Sequence, residues 1–193
     1  AIATRQCCRT IYDGSRLAPE EVAGLTAAVR AAGAEAVWVE DEAPVGRLSA
    51  LIVAAAVAQL ENAAYTEELK QWLRFSRAAA LRTGDGLFSA AVGSPVVPDL
   101  IGPLAFDLTL SSGAEAERIG IDILSSAGLL VILSPSNDPS GWIAAGRACQ
   151  RAQLRATALG LKSAFLNHPV EIPAMRAEVA SLLGTGGLRP SLI

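Results

Sequence analysis

The sequence predicts a mixed α/β (α+β) domain, and three observations lead to that expectation. Segments with helical periodicity alternate along the chain with short apolar runs that are typical of strands. The chain has 193 residues, of which 51% are hydrophobic, so it can bury a sizeable core as a single domain over residues 1–193. The longest helical pattern begins after Asp138 and Pro139, an N-cap and first-turn pair, and runs to about Gly160.

The first part of the chain predicts three helices and one strand. A helix starts at Pro19, which occupies the first helical position and is followed by two glutamates, and it should stop at Gly33. The short apolar run from Ala36 to Val39 predicts a strand. Two further helices are expected, from Pro44 to about Asn62 and from Tyr65 to Phe75.

The remaining elements follow a segment of different character. Residues 82–103 contain four glycines and three prolines without a sustained period, which predicts a long loop or lid. Beyond it, the pattern predicts helices at 114–126 and 173–183 and strands at 129–133, 164–166 and 188–193, in addition to the central helix.

The central helix has two different faces. An apolar stripe at helical spacing comprises Trp142, Ala145, Cys149, Ala152, Ala156 and Leu159. Arg147, Arg151 and Arg155 lie four residues apart on another face. The many small residues favour a helix that is buried at the centre of a domain or of a dimer, and an ordinary amphipathic helix is the alternative.

Composition excludes several classes of protein. The formal net charge of -3 and the interspersed arginines provide no broad basic field, so no nucleic acid partner is expected. The longest apolar run, Leu51 to Ala58, is short of the roughly 20 residues that span a bilayer, so no membrane span and no membrane partner are expected. Cys7, Cys8 and Cys149 are interpreted as free thiols, which fits a reduced cytoplasm. Because the chain begins at Ala1 without an initiator methionine, export stays open.

Residue counts also argue against familiar catalytic chemistries. His168 is the only histidine, and the cysteines show no C-x-x-C spacing, so no metal site is expected. A serine hydrolase would need His168, but no G-x-S-x-G segment presents a serine. Phosphate-loop and dinucleotide fingerprints do not occur. Arg5 and Arg9, which flank two cysteines, can converge on a phosphate, although a solvated arginine pair is the more common interpretation.

Several of these segments together resemble the FMN-binding nitroreductase family. The family begins with an Arg-Arg-Ser-x-Arg type segment, an aromatic-Asp pair and a Pro-Glu-Glu helix start. It continues to a small-residue helix ending in Ala-Leu-Gly-Leu and a turn that touches the flavin ring. The matching residues are Arg5, Gln6, Cys7 and Arg9, then Tyr12-Asp13, Pro19-Glu20-Glu21, Arg147 to Leu161, Asn167 with His168, and Arg189-Pro190.

The resemblance implies a central, mainly antiparallel sheet flanked by helices, and a cofactor site for FMN. The residues that it assigns to FMN are Arg5, Gln6, Cys7, Arg9, Asn167, His168 and Arg189. Gln6 and Cys7 stand where the family has arginine and serine, and Asn167-His168 replaces a glycine-containing turn. Residues 84–88 would cover the flavin face, with Phe88 either stacking on the ring or anchoring the loop as a core aromatic.

More narrowly, residues 72–75 and 83–90 resemble the second half of a longer branch that holds two nitroreductase-like halves and often carries a twin-arginine export signal. The chain is therefore expected to be a single domain or a fragment of a longer one, and to form a homodimer or to pair with an N-terminal half. The implied function is an FMN-dependent, NAD(P)H-linked oxidoreductase acting on nitro-aromatics or quinones. The alternatives are a flavin-sequestering protein without turnover and a cofactor-free dimerisation remnant.

Overall fold

The computed structural model describes residues 1–8, 10–92 and 94–193, and of Val92 it describes the backbone but not the side chain. Arg9 and Gly93 lie outside the described residues. The described chain is a mixed α+β protein that is mostly helical. Nine α-helices are described: α1 Pro19–Arg30, α2 Glu42–Glu61, α3 Ala63–Trp72, α4 Arg77–Thr83, α5 Gly102–Thr109, α6 Ser112–Ser125, α7 Pro139–Ala158, α8 His168–Glu171 and α9 Pro173–Leu183.

Five strands form two small sheets among the described residues. Their bounds are β1 Glu35–Val39, β2 Leu73–Arg74, β3 Leu87–Phe88, β4 Leu129–Ser134 and β5 Arg189–Leu192. The larger sheet is antiparallel in the order β1-β4-β5, so the predicted antiparallel pairing is found in a sheet of three strands. The other sheet pairs β2 with β3 in parallel over two residues.

The chain divides into two compact units, one made of Ala1–Ala55 with Arg118–Ile193 and one made of Ala56–Glu117. In the first unit, α1 and α7 pack with β1 and β4 around a core of small residues. That core comprises Val29, Ala34, Ala36, Ile132, Ala145, Ala148, Cys149 and Ala152. The small residues on the buried side of α7 thus allow close packing inside this unit.

Most predicted elements are found, with shifted ends. Helix α1 begins at Pro19 as predicted but ends at Arg30, because the chain closes a turn in which Gly33 donates its N–H to the carbonyl of Arg30. Helix α2 begins at Glu42 rather than Pro44, since a proline in the first helical turn removes no intrahelical donor. By length and composition alone, α2 is the one described helix apolar enough to cross a membrane.

Several expectations from the sequence were wrong. Trp142 was placed on the apolar stripe of α7 with residues that are buried, but it lies in the first turn, is 58% exposed and donates its indole N–H to Asn137. The expected strand at 164–166 is absent from this described segment, where the backbone of Leu166 instead bonds the carbonyl of Ile193. The helix expected to reach Phe75 ends at Trp72, because Leu73 and Phe75 are buried in an extended segment.

The segment predicted as a loop or lid, 82–103, contains short elements. It begins within α4, passes through β3 and a 3-10 turn at Ser89–Val92, and ends in the first turn of α5. Neither α4 nor α5 was predicted. Each is at most eight residues long, so each presents only about two helical turns to any periodicity argument.

Candidate functional site

The N-terminal segment is fixed against the stretch of chain that follows α7. A 3-10 turn at Ile2–Thr4 leads into extended backbone, and Cys7 forms an isolated parallel bridge with Ser163. The N–H of Cys8 donates to the carbonyl of Ser163 at 2.9 Å. The segment that was predicted to hold phosphate is therefore anchored to the first unit.

Arg5 is the predicted site residue with the best-defined environment. Its side chain is half-buried, and Nη1 donates to Oε1 of Gln153 on α7 at 2.9 Å. A guanidinium has five N–H donors, so this bond orients the group while the other donors and the positive charge can still serve an anion. Gln153 was not among the predicted site residues, and no local sequence signal links positions 148 apart.

The pKa of the Cys149 thiol is influenced by two of the predicted site residues, Arg5 and Cys7. Burial raises the pKa of the Cys149 thiol to about 11, with a further increase from Cys7 and an opposing decrease from the positive charge of Arg5. Arg5 and Cys7 therefore both influence the turn of α7 that carries Cys149 and Gln153. Gln6 and Cys7 are exposed, and Arg9, the fourth predicted phosphate ligand, lies outside the described residues.

Asn167, His168 and Arg189 have other neighbours. Oδ1 of Asn167 accepts a bond from the N–H of Ile193 at 2.9 Å, so the side-chain carbonyl holds the last described residue. His168 is half-buried and begins α8, where an extended turn was expected. Arg189 is exposed on β5, and its backbone pairs with Ser134. What Asn167 can offer to a ligand is its amide N–H, since its oxygen is engaged.

The predicted lid belongs to the second unit and is held there by the β2-β3 pair. Leu73 is paired with Leu87 and Arg74 with Phe88. Phe88 is half-buried, so its ring is partly covered within this unit. Whether residues 84–88 approach a flavin stays a prediction.

A cluster around Cys8 was missed in the sequence. Its Sγ lies 3.0 Å from Oγ1 of Thr10, and the Oη of Tyr12 donates to the carbonyl of Cys8 at 2.9 Å. The hydrogen bonds to Thr10 lower the pKa of the Cys8 thiol, and Lys162 acts in the same direction. Burial raises the pKa of Tyr12 to about 12, so this phenol stays a proton donor at neutral pH. The spacing Cys8-x-Thr10 was the available signal.

The lowered pKa predicts that Cys8 reacts with iodoacetamide faster at pH 7 than Cys149, because only the thiolate is nucleophilic. The rate should rise with pH through a midpoint below that of the same cysteine in urea-denatured protein. Mass spectrometry of peptides after timed labelling measures both thiols.

Thr10→Val is the matched variant for that experiment, because it removes the hydroxyl and keeps the branched shape. We expect it to move the midpoint for Cys8 upward and to leave Cys149 unchanged. Equal labelling of Cys8 and Cys149, or a midpoint insensitive to Thr10→Val, would contradict the assignment.

The described residues contain no group of three or more His, Cys, Asp or Glu side chains arranged to hold a metal ion. No protein-family model, curated protein or solved structure matches the chain. The residues themselves and the resemblance in their sequence pattern are therefore what points to a function.

Proposed function

We propose that this protein is an FMN-dependent, NAD(P)H-linked oxidoreductase of the nitroreductase type, with nitro-aromatics or quinones as electron acceptors. The observation that carries the proposal is the fixed guanidinium of Arg5, which Gln153 orients within the segment that resembles the family's phosphate grip. The mixed α+β fold with its antiparallel sheet and 20-residue α7 is compatible with that family.

The donors of this segment fit a phosphate group. Arg5 carries a permanent positive charge, and the neighbouring Gln6 amide is exposed beside it in sequence. The N–H groups of Arg5 and Cys8 are already bonded, to the carbonyls of Ala1 and Ser163, so side chains rather than these amides would provide the contacts. Cys7 is exposed and would take the position of the family's serine, with a weaker donor.

FMN, when bound, would supply the chemistry by accepting a hydride from NAD(P)H and passing electrons to the acceptor. The contribution of this chain is to bind and orient the cofactor. Arg5 neutralises phosphate charge, Gln153 keeps the guanidinium from rotating away, and the Asn167 amide N–H is the proposed donor to the ring edge.

Arg5→Ala should weaken FMN binding by about 1.5 to 3 kcal/mol, the usual worth of a hydrogen bond to a charged group, which is roughly 10-fold to 150-fold in Kd. Gln153→Ala should weaken binding less, because the charge remains and only its orientation is lost. Quenching of FMN fluorescence on titration gives each Kd.

Arg47→Ala is the control, because Arg47 is an exposed arginine on α2 and its loss removes the same charge from the protein. The phosphate assignment would be refuted if Arg5→Ala and Arg47→Ala bound FMN equally well.

A visible spectrum, recorded after FMN is added and the protein is desalted and again after NAD(P)H is added, separates the three functional alternatives. Retained flavin that is reduced supports the oxidoreductase, retained flavin that stays oxidised supports sequestration, and a colourless protein supports the cofactor-free remnant.

A further inference from the structure

The second unit contains an open groove between one face of α3 and the turn before β3. The cavity has a volume of about 460 Å³ and is lined by Tyr65, Glu68, Leu69, Trp72, Gly86 and Leu87. The four α3 residues are spaced as one helical face, so a single wall of the groove comes from one helix. The volume is within the range of about 300 to 1,000 Å³ that small-molecule sites usually occupy.

The opposite wall of the groove lies directly against the end of α3. Gly86 has a φ of +71°, which favours glycine, and a Cβ at this position would overlap the carbonyl oxygen of Trp72. The chain therefore passes directly against the end of α3. Leu87 is then set in place by its pairing with Leu73.

Arg74 fixes the same turn from the other side. Its Nη2 and Nε donate to Oδ1 of Asp85 at 2.8 and 3.1 Å, and its Nη1 donates to the carbonyl of Gln71 at 2.9 Å. The hydrogen bonds from Thr83 and then Arg74 lower the pKa of the Asp85 carboxyl, so this pair is charged at neutral pH. The groove is thus preformed by contacts within the unit.

The basic side chains near the groove form ion pairs with acidic residues that do not line it. Lys70, the basic residue closest in sequence, is paired with Glu67 and, at 2.9 Å, with Asp107, while Arg74 is paired with Asp85. Glu68 is exposed and lines the groove, and it contributes a negative charge to walls that are otherwise aromatic and aliphatic. Aromatic faces also attract cations, tryptophan most strongly.

We propose that this groove binds a small organic cation, namely a substituted ammonium group attached to an apolar or aromatic body. The ammonium group would lie between the Glu68 carboxylate and the Trp72 ring, which is 51% exposed and lines the groove. Leu69 and Leu87 would cover the apolar body. The groove shares Gly86 and Leu87 with the predicted flavin cover and shares no residue with the proposed phosphate contacts, since Arg5 and Gln153 belong to the other unit.

Benzyltrimethylammonium is the probe, and the indole N–H resonance of Trp72 in a ¹H–¹⁵N spectrum is the readout. We expect a saturable shift of this resonance, with the indoles of Trp38 and Trp142 unaffected. Glu68→Gln should raise the Kd about 2-fold to 5-fold, which is the worth of an exposed charge pair. Trp72→Ala, followed through the backbone amides of Gly86 and Leu87, should raise it about 5-fold to 30-fold.

Glu67→Gln is the matched control. Glu67 precedes Glu68 in the chain and carries the same charge, but its side chain pairs with Lys70 and does not line the groove. The variant should leave the Kd unchanged. The proposal is overturned if the Trp72 resonance does not shift saturably, if benzyl alcohol binds as tightly as the cation, or if Glu67→Gln and Glu68→Gln have equal effects. None of these variants changes Arg5 or Gln153, so titration with FMN tests the phosphate assignment separately from the cation site.

Discussion

Replacing Gly141 with alanine is expected to destabilise the protein by about 1 to 3 kcal/mol, or more if the backbone has to move. Gly141 lies in the first turn of α7, and its N–H donates to the N-cap side chain of Asp138 at 2.8 Å. A Cβ at this position would overlap the carbonyl oxygen of Ser136 and approach its Oγ to 2.7 Å. That carbonyl also accepts a bond from Ser134, so the loop has little freedom to withdraw.

Gly146→Ala in the same helix should have the opposite sign. Apart from its own helix backbone and chain neighbours, no described residue has an atom within 4 Å of a Cβ at Gly146, so alanine meets open space there. Removing a glycine from a helix interior should stabilise the protein by about 0.5 to 1 kcal/mol, because the unfolded chain loses backbone freedom. Urea unfolding of both variants and the parent measures the two changes, and destabilisation of similar size by both would show that the contact with Ser136 is unimportant.

Ile119→Ala is expected to cost about 2 to 5 kcal/mol, the usual range for emptying a buried aliphatic site. Ile119 lies on α6 with no exposed surface. Deleting three carbons from a closely packed interior removes their transfer free energy and leaves a cavity that the surroundings fill only in part.

Ile121 provides a control of the same residue type on the same helix. It is 42% exposed, and we expect Ile121→Ala to cost under about 1 kcal/mol, because solvent already reaches the side chain and alanine favours the helix. All four residues probed here belong to one compact unit, so one unfolding transition reports on them. A cost for Ile121→Ala that matches that for Ile119→Ala would refute the packing described for α6.

The elements that the sequence predicted well are those with local signals. Helix α9 has the bounds expected, because Pro173 opens it and Gly184 closes it in the left-handed conformation. The start of α7 was also correct, since Asp138 accepts the bond that its position as N-cap requires. Strands β1 and β4 differ from expectation by one residue at one end, because their apolar runs are bounded by polar residues or turns.

The elements that were missed or misplaced depend on distant parts of the chain. The pair β2-β3 exists because Leu73 finds Leu87, and two residues give no periodicity to detect. Phe165 belongs to an apolar run that looked like a strand, but 42% of its surface is exposed and the neighbouring backbone bonds Ile193 instead of a strand. In both cases tertiary contacts decide the outcome.

The candidate site also combines features with a local sequence signal and features that depend on contacts between distant residues. The sequence drew attention to the segment at Arg5, where a charged residue lies beside small ones, and its role in binding phosphate stays a prediction. It did not identify Gln153 as the partner, because that contact depends on how the first residues pack against α7. It assigned Asn167 to a ligand and did not show that the Asn167 oxygen accepts a hydrogen bond from Ile193. Residue type predicts what a side chain can bind, and the fold determines which groups are already bound.

The residues on the edge strands of the three-stranded sheet affect whether a strand of another molecule can pair with it. In the order β1-β4-β5 the outer strands are β1 and β5, each with one side on which another strand can add. Strand β5 contains Pro190, which has no N–H, next to the exposed cation of Arg189, and β1 begins with the exposed Glu35. Proline and charge at the outer strands are the devices by which β-proteins resist edge-to-edge aggregation. Pro190, Arg189 and Glu35 therefore disfavour the addition of a strand from another molecule to this small sheet.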